Sequence, residues 1–595
     1  MKLTITAATV LLTIFVALPP AAGGEIEWAE PIAGFTAPEP GEHPRIIFRK
    51  ADLPELRERA QTPQGRVVLH RARQMLDDRY TNWNAAAYAF LYLVTEEQDY
   101  ADKAKEAARD VIRGRENPDD RYTWPGRGQL RAGPLMAGLA LAYDMAYDGW
   151  DEDFRKEVAE AILDNEHTRG IAHNPRLEPG ANHWGAQAGG LGLALLALRG
   201  DPEVDDERVE DLFDRVIEHI RREIELGFSE RGYYWEGHHC GRFSGNKGII
   251  PFIQAYRNVA GKDLAPADTD VHWMSTKWIY ELVRFSPEAD KARNIQRGMY
   301  ARDPFSRSQE LSRLGDFALG FGIVPEQYEP EMLWVFNHIV RRDAEDFDIN
   351  EYPHFAAWVM ANWPFDTEPR NPRQTMPRIL RDTDAGYFVF RNDWTGTADD
   401  MIVTALLGTK PHRGRGMGKG GNVEVLGKHL RHPFAGIFYT SRETYFYGAE
   451  DGSGIISAEL LDDEALGRRH VGDHWRQLAR GVNSLAVDYS GASGAPLLVV
   501  QVGPWTGHEV QYWMQIEEKE PEDTEADEDD PFTRTEVVEA GEHTYYVMTL
   551  QSGDVPEIEV DGDGDGLVIG DQTVRFDGEK LELGTIAPPL EKTPK

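Results

Sequence analysis

A chain of 595 residues is longer than one hydrophobic core usually holds, so two or more domains are expected. Asp and Glu number 101 against 64 Lys and Arg, a net charge of −37, which argues against nucleic acid as a partner because phosphate binding needs a basic face. A polyanionic sugar is repelled by the same balance unless a cleft is locally basic. The acidity otherwise reads as a solvated surface.

In chain order, residues 1–23 read as a signal peptide. Lys2 gives a positive start, Leu3 to Leu18 is apolar, and Pro19 to Gly24 offers small residues for cleavage. The run is short for a membrane span, and no later stretch predicts one, so an uncleaved anchor is the lesser reading. Export with a single cysteine, Cys240, and hence no internal disulfide, suits a secreted or periplasmic protein of bacterial type.

Residues 24–375 predict a helical catalytic domain. Apolar residues fall at helical spacing in Leu53 to Ala60, Val67 to Leu76, Ala85 to Val94, Ala101 to Ile112, Leu130 to Tyr147 and Phe154 to Leu163. The pattern continues in Ala188 to Leu198, Val209 to Leu226, Ile249 to Val259, Val271 to Phe285 and Met332 to Val340. Antiparallel helix pairs in this number predict an (α/α) toroid; a solenoid would need a fixed repeat, and none is visible. The texture changes near Asn371 to Pro377. Residues 376–595 carry short strand-like runs: Gly386 to Arg391, Met401 to Leu407, Asn422 to Leu426, Ser484 to Val487, Leu497 to Val502, Val510 to Ile516, Thr544 to Leu550, Ile558 to Val560 and Leu567 to Ile569. Turns of Gly, Asp and Asn separate them, which predicts an antiparallel β-sandwich. Glu517 to Asp530 reads as an acidic loop within it.

Two clusters point to chemistry. Asn182, His183 and Trp184 open a small-residue apolar helix, and Tyr233, Tyr234, Trp235, Glu236, Gly237, His238 and His239 follow some fifty residues later. An amide, imidazoles and aromatic rings together present a surface suited to sugars. Abstracting a proton beside a carboxylate requires a donor to neutralise the carboxylate, a base for the carbon-bound proton, and an acid for the departing oxygen. Asn182 and Arg242 are candidates for the first task. His183, His239, Tyr234 and Tyr233 are candidates for the others, since an imidazole titrates near working pH. The competing reading is that these side chains are hydrogen-bonded packing residues.

A cationic glycine-rich stretch, Pro411 to Asn422, holds His412, Arg413, Arg415 and Lys419. It is no phosphate-binding P-loop, because Lys419 precedes Gly420 and a strand follows. Its amides and guanidinium groups suit a carboxylate or sulfate. Asp561-Gly562-Asp563-Gly564-Asp565-Gly566 begins like a calcium loop, yet Gln572 stands at the closing position, so a β-turn is expected. Cys240 beside His239 reads as a buried thiol. His429 and His432 alone are two ligands and do not support a structural metal ion.

In order along the chain, several motifs resemble the heparinase II/III-like polysaccharide lyases. They are Gly41 to Phe48 with Asp52-Leu53-Pro54, Ala142-Tyr143-Asp144, Asn182-His183-Trp184, Gly232 to Gly237 with Ile250-Pro251-Phe252, Gly315-Asp316, and Gly386 to Arg391. The resemblance implies a helical toroid followed by a β-sandwich. It also implies that Asn182 neutralises a uronate carboxylate, with His183 assisting. The family's tyrosine lies shortly after the Glu-Gly pair. Here His238, His239 and Cys240 occupy that place, with His239 the expected substitute and Tyr234 the reserve. His412 lies in the region of the family's sandwich-loop histidine, in a loop rebuilt from glycine and arginine.

The sequence is thus expected to encode an exported lyase that cleaves an acidic, uronate-containing polysaccharide by β-elimination. Asn182, His183, Tyr234, His239 and His412 are the catalytic candidates, and Trp184, Tyr233, Glu236, His238, Arg242, Arg413 and Arg415 the substrate-binding ones. Elimination needs no redox cofactor. A non-catalytic glycan-binding protein and a toroid glycoside hydrolase, the latter using Glu236 and Asp316, are the alternatives.

Overall fold

The computed structural model describes residues 29–78, 81–114, 129–175, 177–284, 292–294, 314–340, 352–382, 385–391, 393–397 and 400. It also describes 402–406, 423–427, 430–434, 441–448, 454–460, 482–488, 497–503, 533–550, 557–569, 572–576 and 581–583. The signal-like start, the loop of His412, Arg413 and Arg415, His429, and Val510 to Asp530 lie outside these residues.

The first part is helical: α1 (Leu53–Gln61), α2 (Pro63–Asp78), α3 (Asn84–Thr95), α4 (Gln98–Ile112), α5 (Gln129–Ala146), α6 (Glu152–Leu163), α7 (Glu166–His173) and α8 (Asn182–Leu198). It continues with α9 (Asp206–Gly227), α10 (His238–Ser244), α11 (Ile250–Ala260), α12 (Trp273–Thr276), α13 (Trp278–Glu281), α14 (Leu314–Phe321), α15 (Glu329–Val335) and α16 (Phe355–Asn362). Asp151, Asn165 and Asp205 start α6, α7 and α9 by accepting from backbone N–H groups of the first turn. No described helix is long and apolar enough to cross a membrane.

The expected helix Val271 to Phe285 breaks into α12, α13 and a strand, β3 (Leu282–Arg284). The break has a tertiary cause: β3 pairs with β4 (Ala292–Asn294), and the buried Arg391 donates to the carbonyls of Tyr280 and Leu282 at 3.1 and 2.6 Å. A backbone carbonyl used this way is unavailable to a helical ladder. α10 and the π-helical turn Gly245–Ile249 extend α11 backwards, beyond the helix expected from Ile249. A second π-turn, Phe336–Val340, ends α15.

Earlier, β1 (Glu30–Pro31) pairs with β2 (Lys262–Asp263). After Asn362 the chain turns to antiparallel sheet. β5 (Ile379–Asp382), β6 (Tyr387–Arg391), β7 (Ile402–Leu406), β8 (Val423–Gly427) and β9 (Leu430–Phe434) form a five-stranded meander. β10 (Ser441–Gly448), β11 (Gly454–Leu460), β12 (Val482–Asp488), β13 (Leu497–Gly503), β14 (Thr533–Ala540) and β15 (His543–Leu550) form a six-stranded sheet in which β15 lies between β13 and β14. β16 (Ile558–Val560), β17 (Gly566–Ile569), β18 (Gln572–Phe576) and β19 (Leu581–Leu583) complete a four-stranded one. The Asp561 to Gly566 stretch is the β16–β17 turn, with the Asp561 carboxylate accepting from Gly564 and Asp565 and pairing with Arg575.

The motif Gly41 to Phe48 is a structural anchor. His43 donates from both ring nitrogens, to Asp144 at 2.7 Å and to Asp201 at 3.1 Å. Arg45 donates to Asp201 and to the Ala197 carbonyl, both at 2.6 Å, and Tyr143 donates to Asp201 at 2.7 Å. The network joins the N-terminal segment, α5 and the residues just past α8. Burial pulls the His43 pKa down, but the two carboxylate hydrogen bonds outweigh it and raise it.

α8 is the centre of the helical part. From Trp184 to Leu198 every residue is buried, as expected for a helix that is apolar or small all round. Its backbone lies directly against two neighbours. A Cβ on Gly190 would sit 2.1 Å from the Gly133 carbonyl of α5, and one on Gly189 would sit 2.2 Å from the backbone of Gly248. Only glycine permits approach that close. Gly189→Ala is therefore expected to lower stability by about 3 kcal/mol, read as a reduced urea midpoint with unchanged m. Gly562→Ala, whose Cβ meets nothing within 4 Å, should shift stability by less than about 0.5 kcal/mol.

Candidate active site

The site forms where α8 begins. Its N-cap, Ala181, has no side chain able to receive the unpaired N–H groups of the first turn. A distant carboxylate does so for the first of them: Glu236 accepts from Asn182 N at 2.9 Å, while Glu223 of α9 accepts at 2.6 Å from the N–H of Gly180, just before the cap. Negative charge at a helix N-terminus is favoured by the aligned peptide dipoles.

Glu223 is fully buried and also accepts from the hydroxyls of Tyr234, at 2.8 Å, and Ser244, at 2.7 Å. One carboxyl group thus ties the approach to α8, the 228–237 loop and the end of α10 together. Gly185 leaves the room for this: a Cβ there would lie 2.9 Å from Glu223 Oε1 and closer still to Ser244 Oγ. Burial pushes the Glu223 pKa up to about 7. Its three donors oppose the rise, and neighbouring Glu236 adds to it.

Few residues here reach solvent. On α8 they are Asn182 and His183. Along 238–250 the described ones are Arg242, Phe243 and Lys247. The His183 ring meets Phe243 edge-on at 5.0 Å. Arg242 donates to Asp316 of α14, whose other oxygen accepts from Asn246 at 2.7 Å. The Lys247 ammonium stands 4.0 Å from the ring centre of Tyr352, 5.4 Å from Trp83 and 5.6 Å from Phe355. An amide, an imidazole, a guanidinium and an ammonium group are therefore partly exposed on the first turn of α8 and on the neighbouring 242–247 stretch.

The other expected site residues are placed differently. Trp184 is buried and donates to the His219 carbonyl at 3.0 Å. Tyr234 is buried with its hydroxyl on Glu223, and burial, ahead of the nearby carboxylates, raises its pKa well above the usual phenol range. Tyr233 packs 4.9 Å from Tyr387. His238 meets Glu281 at 2.7 Å, and Glu281 also accepts from Tyr387 at 3.1 Å, so this group lies at the seam with β6. Glu236 serves as the distant cap for Asn182. Cys240 is buried, and burial raises its thiol pKa, with Glu236 adding to the effect. Position 239 lies on α10, while the His239 side chain, His412, Arg413 and Arg415 fall outside the described residues. Among the described residues no cluster of three or more His, Cys, Asp or Glu side chains is arranged around a metal ion.

Sequence reasoning overlooked Glu223 and Lys247. Glu223 carried a legible signal, since it falls among the apolar positions Val216, Ile220, Ile224 and Gly227 on the buried face of α9.

No protein-family model matches the chain, and no curated protein matches it. Among solved structures it is similar to a heparan sulfate lyase from Pedobacter heparinus, with 11% identity and a TM-score of 0.43 over 91% of this chain and 94% of that one. It is also similar to a heparinase III with methylated lysines, with 11% identity and a TM-score of 0.42 over 84% and 82% of the two chains.

The raised Glu223 pKa fixes a sign. The folded state holds this proton more tightly than the unfolded state, so its stabilising contribution is complete below pH 4.5 and lost as pH rises to about 7. The loss amounts to about 3 kcal/mol. Asp382, pushed up to about 6 by burial, and His43 act in the same direction. Glu223→Gln is therefore expected to flatten, but not abolish, the fall in thermal midpoint between pH 4.5 and 7. An unchanged slope would remove Glu223 as its source.

Proposed function

We propose that the protein is an exported polysaccharide lyase that cleaves a uronate-containing chain by β-elimination, built as a helical toroid followed by a β-sandwich. The observation that carries this reading is the partly exposed Asn182 and His183 at the start of α8, with His183 against Phe243 of α10 beside the partly exposed Arg242. An amide and a guanidinium donate to the uronate carboxylate and stabilise the enolate-like charge that forms when C5 loses its proton. The C5–H bond breaks, the C4–C5 double bond forms, the C4–O bond breaks, and the departing oxygen takes a proton. His239 sits one helical turn before Arg242 and Phe243 on α10, so the three positions share a face. It is assigned the C5 proton, and His183 the leaving oxygen. Tyr234, expected as the reserve base, is buried with its hydroxyl on Glu223 and instead positions the loop. His412 is the alternative to His183 at the leaving oxygen, and Arg413 and Arg415 are assigned to the substrate's carboxylate or sulfate groups.

Hydrolysis would use Glu236 and Asp316, but both are buried and already accept hydrogen bonds from Asn182 N and from Arg242 and Asn246. Elimination is therefore favoured over a two-carboxylate mechanism.

The test incubates the protein with alginate, glycosaminoglycans, ulvan and pectin and follows the ultraviolet absorbance of a 4,5-unsaturated uronate. New reducing ends without absorbance would indicate hydrolysis, and binding without turnover a glycan-binding protein. His183→Ala and His239→Ala should each lower kcat about 100-fold or more with an unchanged thermal midpoint. Near-normal turnover in either variant removes that histidine from the mechanism.

A further inference from the structure

We propose that a cavity where α1, α11 and α16 meet is a second binding site, which takes an uncharged sugar and lies apart from the residues at the start of α8. Such a site is independent of the lyase reading above.

The cavity measures about 300 Å³, the lower end of ordinary small-ligand sites, so a ligand the size of a monosaccharide is expected. It lies where the first helix meets the last described α-helix, and Arg59 of α1 spans that meeting by donating to the Met360 carbonyl of α16 at 2.7 Å. α10, the π-turn and α11 run on continuously. Gln254 and Asn258, which line the cavity, therefore stand about 18–24 Å past Arg242 along the axis.

Two amides decide what the cavity holds. The nitrogen of Asn258 donates to the carbonyls of Ile46 and Ile47 at 2.9 and 3.1 Å. That of Asn362 donates to Gln254 Oε1 at 2.6 Å and to the Ala318 carbonyl at 3.0 Å. With both N–H groups of each amide spent, its orientation is fixed and its oxygen is the end left for a ligand. Neither Oδ1 accepts a hydrogen bond among the described residues, and both side chains are half-buried. The helix ends add to this bias. α11, α14 and α16 finish at Ala260, Phe321 and Asn362, and the last carbonyls of a helix have no partner within it. The cavity thus favours a molecule that brings donors.

Charge and apolar surface narrow the class. Asp52, Glu55, Arg59 and Arg257 line the cavity, two carboxylates against two guanidinium groups, so it has no net charge to draw an anion or a cation. Arg59 pairs with Glu55 at 2.8 Å, and Arg257 with Asp263 at 2.7 Å. Phe48, Leu56 and Met360 line it as well and are buried, which gives the carbon face of a sugar ring a surface to cover. A neutral molecule rich in hydroxyl groups meets all three conditions.

The test is calorimetry and saturation-transfer NMR with glucose, galactose, mannose and xylose, and with glucuronate and putrescine as charged comparisons. The proteins are wild type, Ala361→Leu, which fills the cavity from α16, Asn362→Ala, and Arg242→Met at the α8 site. Wild type should bind at least one neutral sugar saturably, with a Kd of about 1 mM that does not change with salt. Ala361→Leu should abolish that binding, Asn362→Ala should weaken it about tenfold, and Arg242→Met should leave it unchanged. No saturable binding of any of the four sugars overturns the proposal. So does wild-type affinity in Ala361→Leu or Asn362→Ala, or tighter binding of either charged probe. Binding lost in Arg242→Met puts the sugar at the α8 site and overturns it too. If Ala361→Leu lowers the thermal midpoint, hydrogen exchange of wild type is compared with and without the bound sugar; protection in α1 and α16 supports the site, and its absence there overturns it. Sugar binding with no unsaturated product from any polyuronate removes the lyase reading and leaves this site standing.

Discussion

The constraint on which the structure depends is the contact of α8 with backbone on two sides. Gly190 meets Gly133 of α5, and Gly189 meets Gly248 of the π-turn, at separations no side chain would allow. Because α8 touches these neighbours through main chain, its position is set by hard contacts, which tolerate little displacement. That fixes its first turn, and therefore Asn182 and His183, relative to Arg242, Phe243 and Lys247. The far end is fixed by charge: Asp144 and Asp201 hold His43 and Arg45, and Arg45 binds the Ala197 carbonyl.

The strand-rich part is joined to this frame by buried polar groups. Asp382 of β5 accepts from Ser229 Oγ and from the N–H of Arg231 at 3.0 Å. Arg391 of β6, wholly buried, donates to the carbonyls of Tyr280, Leu282 and Asp393 and pairs with Asp400. A buried charge whose three nitrogens all have partners is tolerated, whereas losing one partner typically costs about 3–5 kcal/mol. The seam therefore fixes the 228–238 loop from outside, while Glu223 fixes it from inside. His238 and Tyr233 belong to the outer contact, Tyr234 to the inner one.

Some of this was legible in the sequence. Periodicity found α8, α9 and the first sheet strands, because their burial is one-sided or complete over many residues. Asn182 and His183 stood out as polar groups at the start of an apolar run. The two halves of the His43 anchor were visible as motifs, but not as partners, since about a hundred residues separate His43 from Asp144. Trp184, Tyr234 and His238 read alike as cleft residues, because a sugar-binding surface and a buried hydrogen-bonded network draw on the same aromatic and polar side chains. Only the tertiary structure separates them. Lys247 was passed over because Ser244 to Gly248 has the composition of a loop, and a π-turn has no period of its own to reveal it.

The two cations of the 242–247 stretch are anchored by different physics. Arg242 is held by Asp316, which also binds Asn246, so its guanidinium gains direction while its charge is largely balanced nearby. Lys247 stands against the rings of Tyr352, Trp83 and Phe355, which help position its ammonium. Both cations stand on the continuous stretch of α10 and the π-turn, yet five residues apart they point in different directions, one to α14 and the other to Trp83, Tyr352 and Phe355.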